Sequence, residues 1–282
     1  MSFRRIGRDR PCPVCGKPDW CLISNDGGAA ICSRIKSERI VGEKGAGWLH
    51  CLRDDGWASS DWRSLPRKPA EVRSPIRTDF GNLSEKYVNQ LRPESRGWLA
   101  NELGVNVDSL AALCIGFFDD HEAFSFPMRE PNGVVCGIRL RRYDGSKFAV
   151  RGSRDGLFFV PKTLNRKYLV VCEGPSDTAA LLSMNYDSVV GRPSCRGASD
   201  KVVTVCRWTQ PSLVILIPDA DKQGRQGAEL LASLLRFVVP RIEIVMLPEG
   251  CKDIRETLQE EKNADWLRDR IGAFTGVRPS WA

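Results

Sequence analysis

The sequence predicts an α/β fold, in which a mostly parallel sheet carries helices on both faces, together with a basic α+β segment and a small metal-binding segment at the amino terminus. Three observations predict it. Unbroken apolar runs alternate with helical patterns after residue 167, acidic residues follow two of these runs, and five of the eleven cysteines lie within residues 12–51. Fully apolar strands separated by helices are typical of a parallel sheet that is covered on both sides.

Length and composition exclude several classes of protein. The chain has 282 residues, 42% of them hydrophobic and 27% charged, which is ordinary for a folded globular protein. No apolar run approaches the roughly 20 residues that a membrane-spanning helix needs, and no apolar stretch follows the arginines at the start. We therefore expect a cytoplasmic protein, with the scattered cysteines present as reduced thiols of the core.

The net charge of +7 is distributed unevenly. Residues 1–80 carry +5, residues 81–167 carry +3 and the last 115 residues carry −1. The first two parts can therefore face a polyanion, whereas the last part concentrates acidic groups.

Four segments are predicted in order. Residues 1–57 alternate short strands (20–24, 29–33 and 48–52) with glycine-rich turns. Residues 58–82 form a basic linker whose prolines prevent a long helix. Residues 83–166 combine helices at 84–91, 93–103 and 107–113 with strand-like runs at 123–128, 134–143, 147–150 and 157–160. Residues 167–282 alternate strands at 168–172, 188–190, 213–217 and 241–247 with helices at 176–184, 226–237 and 254–261.

The cysteine cluster predicts one structural zinc ion. Cys12 and Cys15 form a CxxC turn, which directs two thiolates at one ion, and Cys32 follows 17 residues later. With His50 as the fourth ligand, the predicted set is Cys12, Cys15, Cys32 and His50. Cys21 and Cys51 remain alternatives for the fourth position. A redox pair is the competing interpretation, but no thioredoxin-like βαβ pattern surrounds this CxxC.

Acidic residues follow two buried strands of the last segment. Glu173 directly follows the run 168–172, and Asp219 and Asp221 come shortly after the run 213–217. Asp253 follows the last strand, 241–247. Ligands bind at the carboxyl edge of an open α/β sheet, so these side chains are expected to meet there. Carboxylates packed together repel each other unless a divalent cation neutralises them, and oxygen ligands suit Mg²⁺ or Mn²⁺. A solvated turn is the alternative for Asp219 and Asp221.

These strand ends resemble the Toprim domain, which bacterial primases, topoisomerases and some nucleases share. The resemblance lies in Glu173-Gly174, in Asp219-x-Asp221-x-x-Gly224 and in Lys252-Asp253. A zinc ribbon, a basic mixed segment and a Toprim domain follow one another in this order in bacterial and phage DNA primases. The middle segment resembles the first half of the primase polymerase core at Arg96-Gly97-Trp98, Ile115-Gly116-Phe117, Phe126-Pro127, Val135–Arg139 and Lys147-Phe148.

The resemblance implies a DNA primase, a nucleotidyltransferase that makes short RNA primers on single-stranded DNA. It implies Glu173 as general acid/base or metal ligand, Asp219, Asp221 and Asp253 as ligands of Mg²⁺ or Mn²⁺, and Asp177 in a supporting position. Nucleoside triphosphates are the implied substrates. Lys222 and Arg225 are candidates for contacts to triphosphate oxygens, with exposed charges at a helix start as an equal alternative. A separate replicative helicase and an origin in a phage or mobile element, acting in a bacterial or phage-infected cell, are further expectations.

Basic residues of the middle segment are candidates for binding the template. The residues are Arg139, Arg141, Arg142 and Lys147, and Arg139 and Arg141 share one face by the period of two in a strand. Such groups can follow the backbone of a single strand, although a solvated strand face is an equal alternative. Tryptophans 20, 48 and 57 of the first segment are expected mainly in its core, with base stacking as the alternative.

Two other activities remain open at this point. A Toprim hydrolase would cut nucleic acid at the same carboxylates, but the zinc segment and the basic segment argue against it. A non-catalytic module would bind single-stranded DNA and keep the acids only for folding. A topoisomerase is disfavoured, since little chain remains for the additional domain that carries a tyrosine nucleophile.

Overall fold

The computed structural model describes residues 3–7, 9–41, 47–52 and 78–277. The chain divides into two compact units, residues 1–75 and residues 76–282. Most of the predicted linker 58–82 lies outside the described residues, as does Trp57. Among the helices of the described residues, none is long and apolar enough to cross a membrane.

The amino-terminal unit contains one small antiparallel sheet with the strand order β1-β2-β3-β5-β4. Its strands are β1 (Phe3–Arg5), β2 (Leu22–Ser24), β3 (Ala29–Cys32), β4 (Ile40–Val41) and β5 (Gly47–Cys51). The three predicted strands are present as β2, β3 and β5, whereas β1 and β4 were not predicted. The buried centre of this unit is formed by Cys12, Cys21 and Cys32, with Ile6 and Val14 packed against them. So small a core supports the expectation that a metal stabilises this unit.

Three helices open the second unit: α1 (Phe80–Gln90), α2 (Pro93–Leu103) and α3 (Val107–Ala112). Helix α1 begins four residues before its predicted start because the Asp79 side chain caps it, accepting the amide of Asn82 at 3.1 Å. Helix α2 has its predicted bounds, with proline as the first residue and Gly104 in the left-handed region (φ 65°) just after its end.

An antiparallel sheet of order β6-β7-β8-β9 follows, with one 3₁₀ turn (Asp119–His121) inside it. The strands are β6 (Gly116–Phe118), β7 (Ala123–Arg129), β8 (Val135–Arg142) and β9 (Lys147–Ala149). The segment predicted as a strand at 157–160 is instead a connection with two isolated bridges, Leu157 to Arg129 and Phe158 to Gly191. Its apolar side chains are buried because it passes between the two sheets of this unit, which explains the misleading pattern.

The predicted parallel sheet is confirmed, with order β11-β10-β12-β13 and every neighbouring pair parallel. Its strands are β10 (Leu169–Glu173), β11 (Val189–Arg192), β12 (Val214–Leu216) and β13 (Ile242–Ile244). Its helices are α4 (Gly174–Ser183), α5 (Ser199–Thr209), α6 (Lys222–Leu235), α7 (Ile254–Leu258) and α8 (Glu261–Thr275). Helix α5 was not predicted, and the single closing helix predicted at 254–261 is two helices.

Helices cover both faces of this sheet, as predicted. Side chains of α5 and α6 pack on one face with Leu169, Val171 and Val214. Side chains of α4, α7 and α8 pack on the other face with Val170 and Ile215. The alternation of neighbouring strand residues between two apolar layers is the physical reason for the unbroken apolar runs. Since all four strands point the same way, their carboxyl ends form one edge.

Candidate active site and zinc centre

Acidic residues from three strand ends meet at this edge. Glu173 is the last residue of β10, Asp219 follows β12, and Asp253 lies between β13 and α7. The amide of Ala220 donates to the carbonyl of Lys252 at 2.8 Å, which ties the loop after β12 to the loop after β13. The predicted meeting of these strand ends at one edge is therefore present.

Glu173 and Asp219 lie at the ends of two neighbouring strands, β10 and β12. Burial raises the pKa of Glu173, and the nearby backbone N–H of Asp219 and the charge of Arg192 oppose this rise. A Cβ at Gly224 would lie 3.0 Å from Oε1 of Glu173 and 2.5 Å from the carbonyl oxygen of Asp219, so only glycine fits there. Burial, helped by the charges of Glu173, Asp253 and Asp221, raises the pKa of Asp219 to about 7.

Asp177 is buried beneath the same edge, in the first turn of α4. Its Oδ1 accepts the amide of Arg255 at 3.1 Å, which connects α4 to α7. Burial and the charges of Asp253 and Asp219 raise the pKa of Asp177 well above its ordinary value. Asp177 therefore lies beneath the acidic edge, and its supporting role in catalysis stays a prediction.

The other two predicted ligands begin helices. Oδ1 of Asp221 accepts the amide of Gly224 at 2.7 Å at the start of α6, and Oδ1 of Asp253 accepts the amide of Glu256 at 2.8 Å at the start of α7. Oδ2 of Asp253 also lies 3.6 Å from Nη2 of Arg255. Each of these carboxylates thus uses one oxygen as a helix cap.

The carboxylates gather without converging on a single point. Among the described residues, the only group of three or more ligand atoms within 4.8 Å of one another is formed by cysteines. The sequence predicted Glu173, Asp219 and Asp221 as ligands of a shared ion, and these three do not meet that closely. The donor set still fits a divalent cation, since all donors are carboxylate oxygens, and burial together with their mutual repulsion raises the pKa of Asp219. Some of these side chains must rotate to share an ion.

Two arginines at this edge were not singled out from the sequence. Arg192 ends β11 directly beside Glu173 and is buried; its guanidinium donates to the carbonyl of Gly197 at 3.1 Å and to Oγ of Ser199 at 2.8 Å. Burial lowers the pKa of Arg192, and the charge of Glu173 opposes this. Arg255 lies between Asp177 and Asp253. The sequence offers one signal for Arg192, which is its position at the end of a strand beside the strand that Glu173 ends.

A basic cleft borders the acidic edge. Arg139, Arg141 and Lys147 line a cavity of about 110 Å³ whose other wall includes Gly174, Pro175 and Ser176 at the start of α4. Cross-strand pairing places Lys147 opposite Arg141, on the same face as Arg139. The predicted shared face of Arg139 and Arg141 is therefore present, and Lys147 joins it.

Electrostatics connect the basic cleft to the acidic edge. Desolvation of its ammonium group lowers the pKa of Lys147, although much of this side chain is exposed, and the charges of Arg141 and Arg255 add to the effect. The charges of Asp177 and Asp219 oppose it. Burial also lowers the pKa of Arg141, which pairs with Glu102 of α2 at 3.5 Å. Positive and negative groups thus face each other across this cleft.

Three other predicted binding residues lie apart from the cleft. Arg142 points to the opposite face of β8, where its guanidinium lies 4.5 Å from the centre of the Phe148 ring. Arg225 donates to the carbonyl of Ala220 at 2.8 Å and so holds the loop that carries Asp219. Lys222 is exposed at the first turn of α6. A phosphate contact remains a prediction for Lys222.

The amino-terminal unit brings four thiols together: Cys12, Cys15, Cys21 and Cys32. The Sγ atoms of Cys15 and Cys21 are 3.8 Å apart, and those of Cys21 and Cys32 are 3.9 Å apart. A tetrahedral zinc ion with Zn–S bonds of about 2.3 Å requires sulfur atoms about 3.8 Å apart. The four thiols therefore fit one structural zinc ion.

Hydrogen bonds around the sulfur atoms favour thiolates. Amides of Arg34 and Ile35 donate to Sγ of Cys32 at 3.4 and 3.3 Å, and the amide of Ser33 donates to Sγ of Cys21 at 3.5 Å. The backbone N–H of Lys17 lowers the pKa of Cys15 to about 6, whereas burial raises the pKa of Cys12. Donors of this kind orient metal ligands and stabilise their charge.

The fourth thiol replaces the predicted His50. Leu22 of β2 pairs with Ile31 of β3, so Cys21 lies directly opposite Cys32. His50 instead pairs with Ala30, and its Nε2 lies 3.0 Å from the carbonyl oxygen of Ile35. The choice of His50 was thus wrong and the alternative Cys21 correct, because strand register rather than proximity in sequence decides which side chains meet. Cys51 is exposed on β5.

Trp20 is the most exposed tryptophan of the described residues, at 83%, and it has a left-handed backbone (φ 62°). The expectation that the tryptophans of this unit lie mainly in its core is wrong for Trp20. Trp48, on β5, is half-buried. A bulky residue in the left-handed region is strained, so the turn before Cys21 holds this ring outward at a cost in energy.

Comparison with solved structures identifies the architecture. The zinc-binding and RNA polymerase domains of the Aquifex aeolicus primase match with a TM-score of 0.56 and 16% identity, covering 97% of this chain and 80% of that one. The DnaG primase catalytic domain bound to single-stranded DNA matches with a TM-score of 0.55 and 18% identity, covering 69% and 77%. This chain therefore has the fold of the DNA primases.

The primase fold extends over both units of the chain. The primase fragment of the bacteriophage T7 primase-helicase matches with a TM-score of 0.50 and 20% identity, covering 96% of this chain and the whole of that fragment. No protein-family model matches the sequence. No curated protein matches it either. The chain therefore shares the primase fold with proteins to which it is 16–20% identical in sequence.

Proposed function

We propose that this protein is a DNA primase that makes short RNA primers on single-stranded DNA. The observation that carries the proposal is the acidic edge of the parallel sheet, formed by Glu173, Asp219 and Asp253, facing the basic cleft of Arg141 and Lys147. A nucleotidyl transfer needs both parts. The acidic edge binds cations that carry triphosphates, and the basic cleft binds a polyanionic strand beside them.

The reaction joins the 3′-oxygen of one nucleotide to the α-phosphorus of a nucleoside triphosphate and releases pyrophosphate. A Mg²⁺ or Mn²⁺ ion bound by Asp219, Asp221 and Asp253 would supply the positive charge that such a transfer needs. The proton of the 3′-hydroxyl goes to a carboxylate, for which Glu173 is the candidate. Burial raises the pKa of Glu173 and so makes its carboxylate a better proton acceptor than an exposed one.

Positioning residues complete this arrangement. Asp177 holds the start of α7 through the amide of Arg255, and Arg225 holds the loop of Asp219 through the carbonyl of Ala220. Arg192 adds positive charge beside Glu173. Arg139, Arg141 and Lys147 bind the phosphates of the template in the cleft. The zinc-binding unit contributes to template selection, with Trp20 as its exposed aromatic side chain.

The proposed setting is replication in a bacterial or phage-infected cell. One of the matched structures is a fragment of a phage primase-helicase. We infer that this chain acts with a separate replicative helicase, and that its origin is a phage or mobile element. The proposed substrates are a single-stranded DNA template and nucleoside triphosphates.

Primer synthesis tests this proposal directly. The full chain is incubated with single-stranded DNA, labelled nucleoside triphosphates and Mg²⁺ or Mn²⁺, and the products are separated by size. We expect new labelled oligonucleotides. Shortened DNA would instead identify a nuclease, and retarded but unaltered DNA a binding module without catalysis.

A pair of variants assigns the activity to the acidic edge. Glu173→Gln removes the carboxylate at the end of β10, and we expect it to abolish synthesis while template binding persists. Glu229→Gln makes the same chemical change on the exposed side of α6 and should leave synthesis at the level of the unmodified protein. Undiminished synthesis by Glu173→Gln would refute this site.

A further inference from the structure

The basic cleft continues into a group of aromatic rings. The antiparallel sheet carries one row of paired residues across all four strands, namely Phe117, Phe124, Arg141 and Lys147. Directly paired residues present their side chains on the same face of a sheet. Half of this row is therefore aromatic and half is basic, and the basic half lines the cleft.

Two exposed rings cover the aromatic half of the row. Trp98 of α2 lies parallel to the Phe124 ring, with an interplanar angle of 3° and a centroid distance of 5.7 Å. Tyr143, which follows β8, meets Trp98 edge-on at 4.6 Å and Phe124 at 5.1 Å. Trp98 is 39% exposed and Tyr143 is 46% exposed, whereas Phe124 is fully buried. We call Trp98 and Tyr143 the aromatic shelf.

The aromatic shelf adjoins the basic cleft. Glu102 lies one turn of α2 after Trp98, and its carboxylate pairs with Arg141 at 3.5 Å. The next residue, Leu103, lines the cleft itself. Trp98 and Tyr143 are both partly exposed although they pack on Phe124 and on each other. Exposed aromatic surface is thus held beside groups that attract phosphate.

We propose that the aromatic shelf stacks a base of the single strand whose phosphates lie in the basic cleft. This inference rests on the proposed function for the choice of ligand. The charge of Arg139, Arg141 and Lys147 selects a polyanion, and exposed rings next to such charge are what single-stranded nucleic acids bind. Stacking of this kind tolerates any base, so the shelf contributes affinity without sequence preference.

Abasic oligonucleotides separate stacking from charge. Fluorescence anisotropy measures the binding of labelled oligo(dT) and of a strand of equal length whose bases are replaced by hydrogen. We expect the unmodified protein to prefer the strand with bases by at least about fivefold, the lower end of the effect of one stacked base. Trp98→Leu and Tyr143→Leu should each reduce this preference severalfold and leave binding of the abasic strand unchanged. Trp98→Phe, which keeps an aromatic ring, should retain the preference for the strand with bases.

Matched measurements keep the outcome interpretable. Trp208→Leu removes another exposed tryptophan, on α5, and should retain the full preference. The helical circular dichroism signal checks that each variant is folded. An unchanged preference in both Trp98→Leu and Tyr143→Leu would overturn the stacking proposal. Primer synthesis is measured separately, so stacking without synthesis would refute the primase, and synthesis without stacking would refute only the shelf.

Discussion

Replacement of Asp219 by asparagine should stabilise the protein in buffer without divalent cations. Burial and three neighbouring carboxylates raise the pKa of Asp219 from its ordinary value of 3.8 to about 7. A group whose pKa is raised on folding holds its proton more tightly in the folded state, so folding loses stability as the pH rises from about 4 to 7. The full rise in the pKa of Asp219 corresponds to a loss of at most ~4 kcal/mol in the free energy of unfolding at pH 8. Because solvent screens charges at this half-buried site, we expect Asp219→Asn to raise the free energy of unfolding by about 1–3 kcal/mol.

Urea unfolding followed by circular dichroism at 222 nm measures this effect. Every helix of the described residues lies in the second unit, so the helical signal reports that unit. The gain from Asp219→Asn should be largest at pH 8 and disappear towards pH 4. Asp119→Asn, which changes an exposed carboxylate away from the acidic edge, should follow the unmodified protein.

Added Mg²⁺ provides the second half of the test. A cation bound at the acidic edge stabilises the folded state of the unmodified protein, and the gain grows with concentration by mass action. Asp219→Asn should lose most of this response. Parallel pH curves for the two proteins, with equal responses to Mg²⁺, would refute the interpretation of this edge as a strained anionic site.

Three further outcomes are expected. Cys21→Ser should release zinc and unfold the amino-terminal unit, whereas His50→Ala should retain zinc. The zinc content of both variants is measured by mass spectrometry. Loss of zinc only in the histidine variant would contradict the four-thiol site. Gly191→Ala should lower the free energy of unfolding by about 1–3 kcal/mol in urea titrations, because its Cβ would lie 2.0 Å from Oγ1 of Thr178. Lys147→Gln should reduce the dependence of log affinity for single-stranded DNA on log salt by about 0.7, and an unchanged slope would place Lys147 away from phosphate.

The parallel sheet was predictable because its strands are buried on both faces. Runs such as residues 168–172 and 213–217 contain only apolar side chains, and their bounds agree with β10 and β12 within one or two residues. The position of the acidic residues followed from the same pattern, since the carboxyl ends of parallel strands share one edge. Helix α5 escaped prediction because its interior, residues 200–209, combines β-branched valines and threonines with polar side chains and has little helical preference.

The zinc ligands show where sequence reasoning stops. Cys12 and Cys15 are close in sequence, so their convergence follows from a local turn. The choice between Cys21 and His50 depends on which strand lies beside β3 and in what register, and a short antiparallel sheet offers no pattern that decides this. The pairing of β2 with β3 sets Cys21 against Cys32. The strand predicted at residues 157–160 is absent for a different reason. A connection that is buried between two sheets has the same apolar pattern as a buried strand.

The arrangement of the acidic edge indicates how catalysis could be controlled. Asp221 and Asp253 each use one carboxylate oxygen to cap a helix, α6 and α7 respectively. Asp219 does not cap a helix of the described residues, and its pKa is raised. The caps fix the positions of two carboxylates by backbone hydrogen bonds, and neighbouring charges add to burial in raising the pKa values of Asp219 and Glu173. A cation entering this edge therefore relieves repulsion that the fold itself maintains.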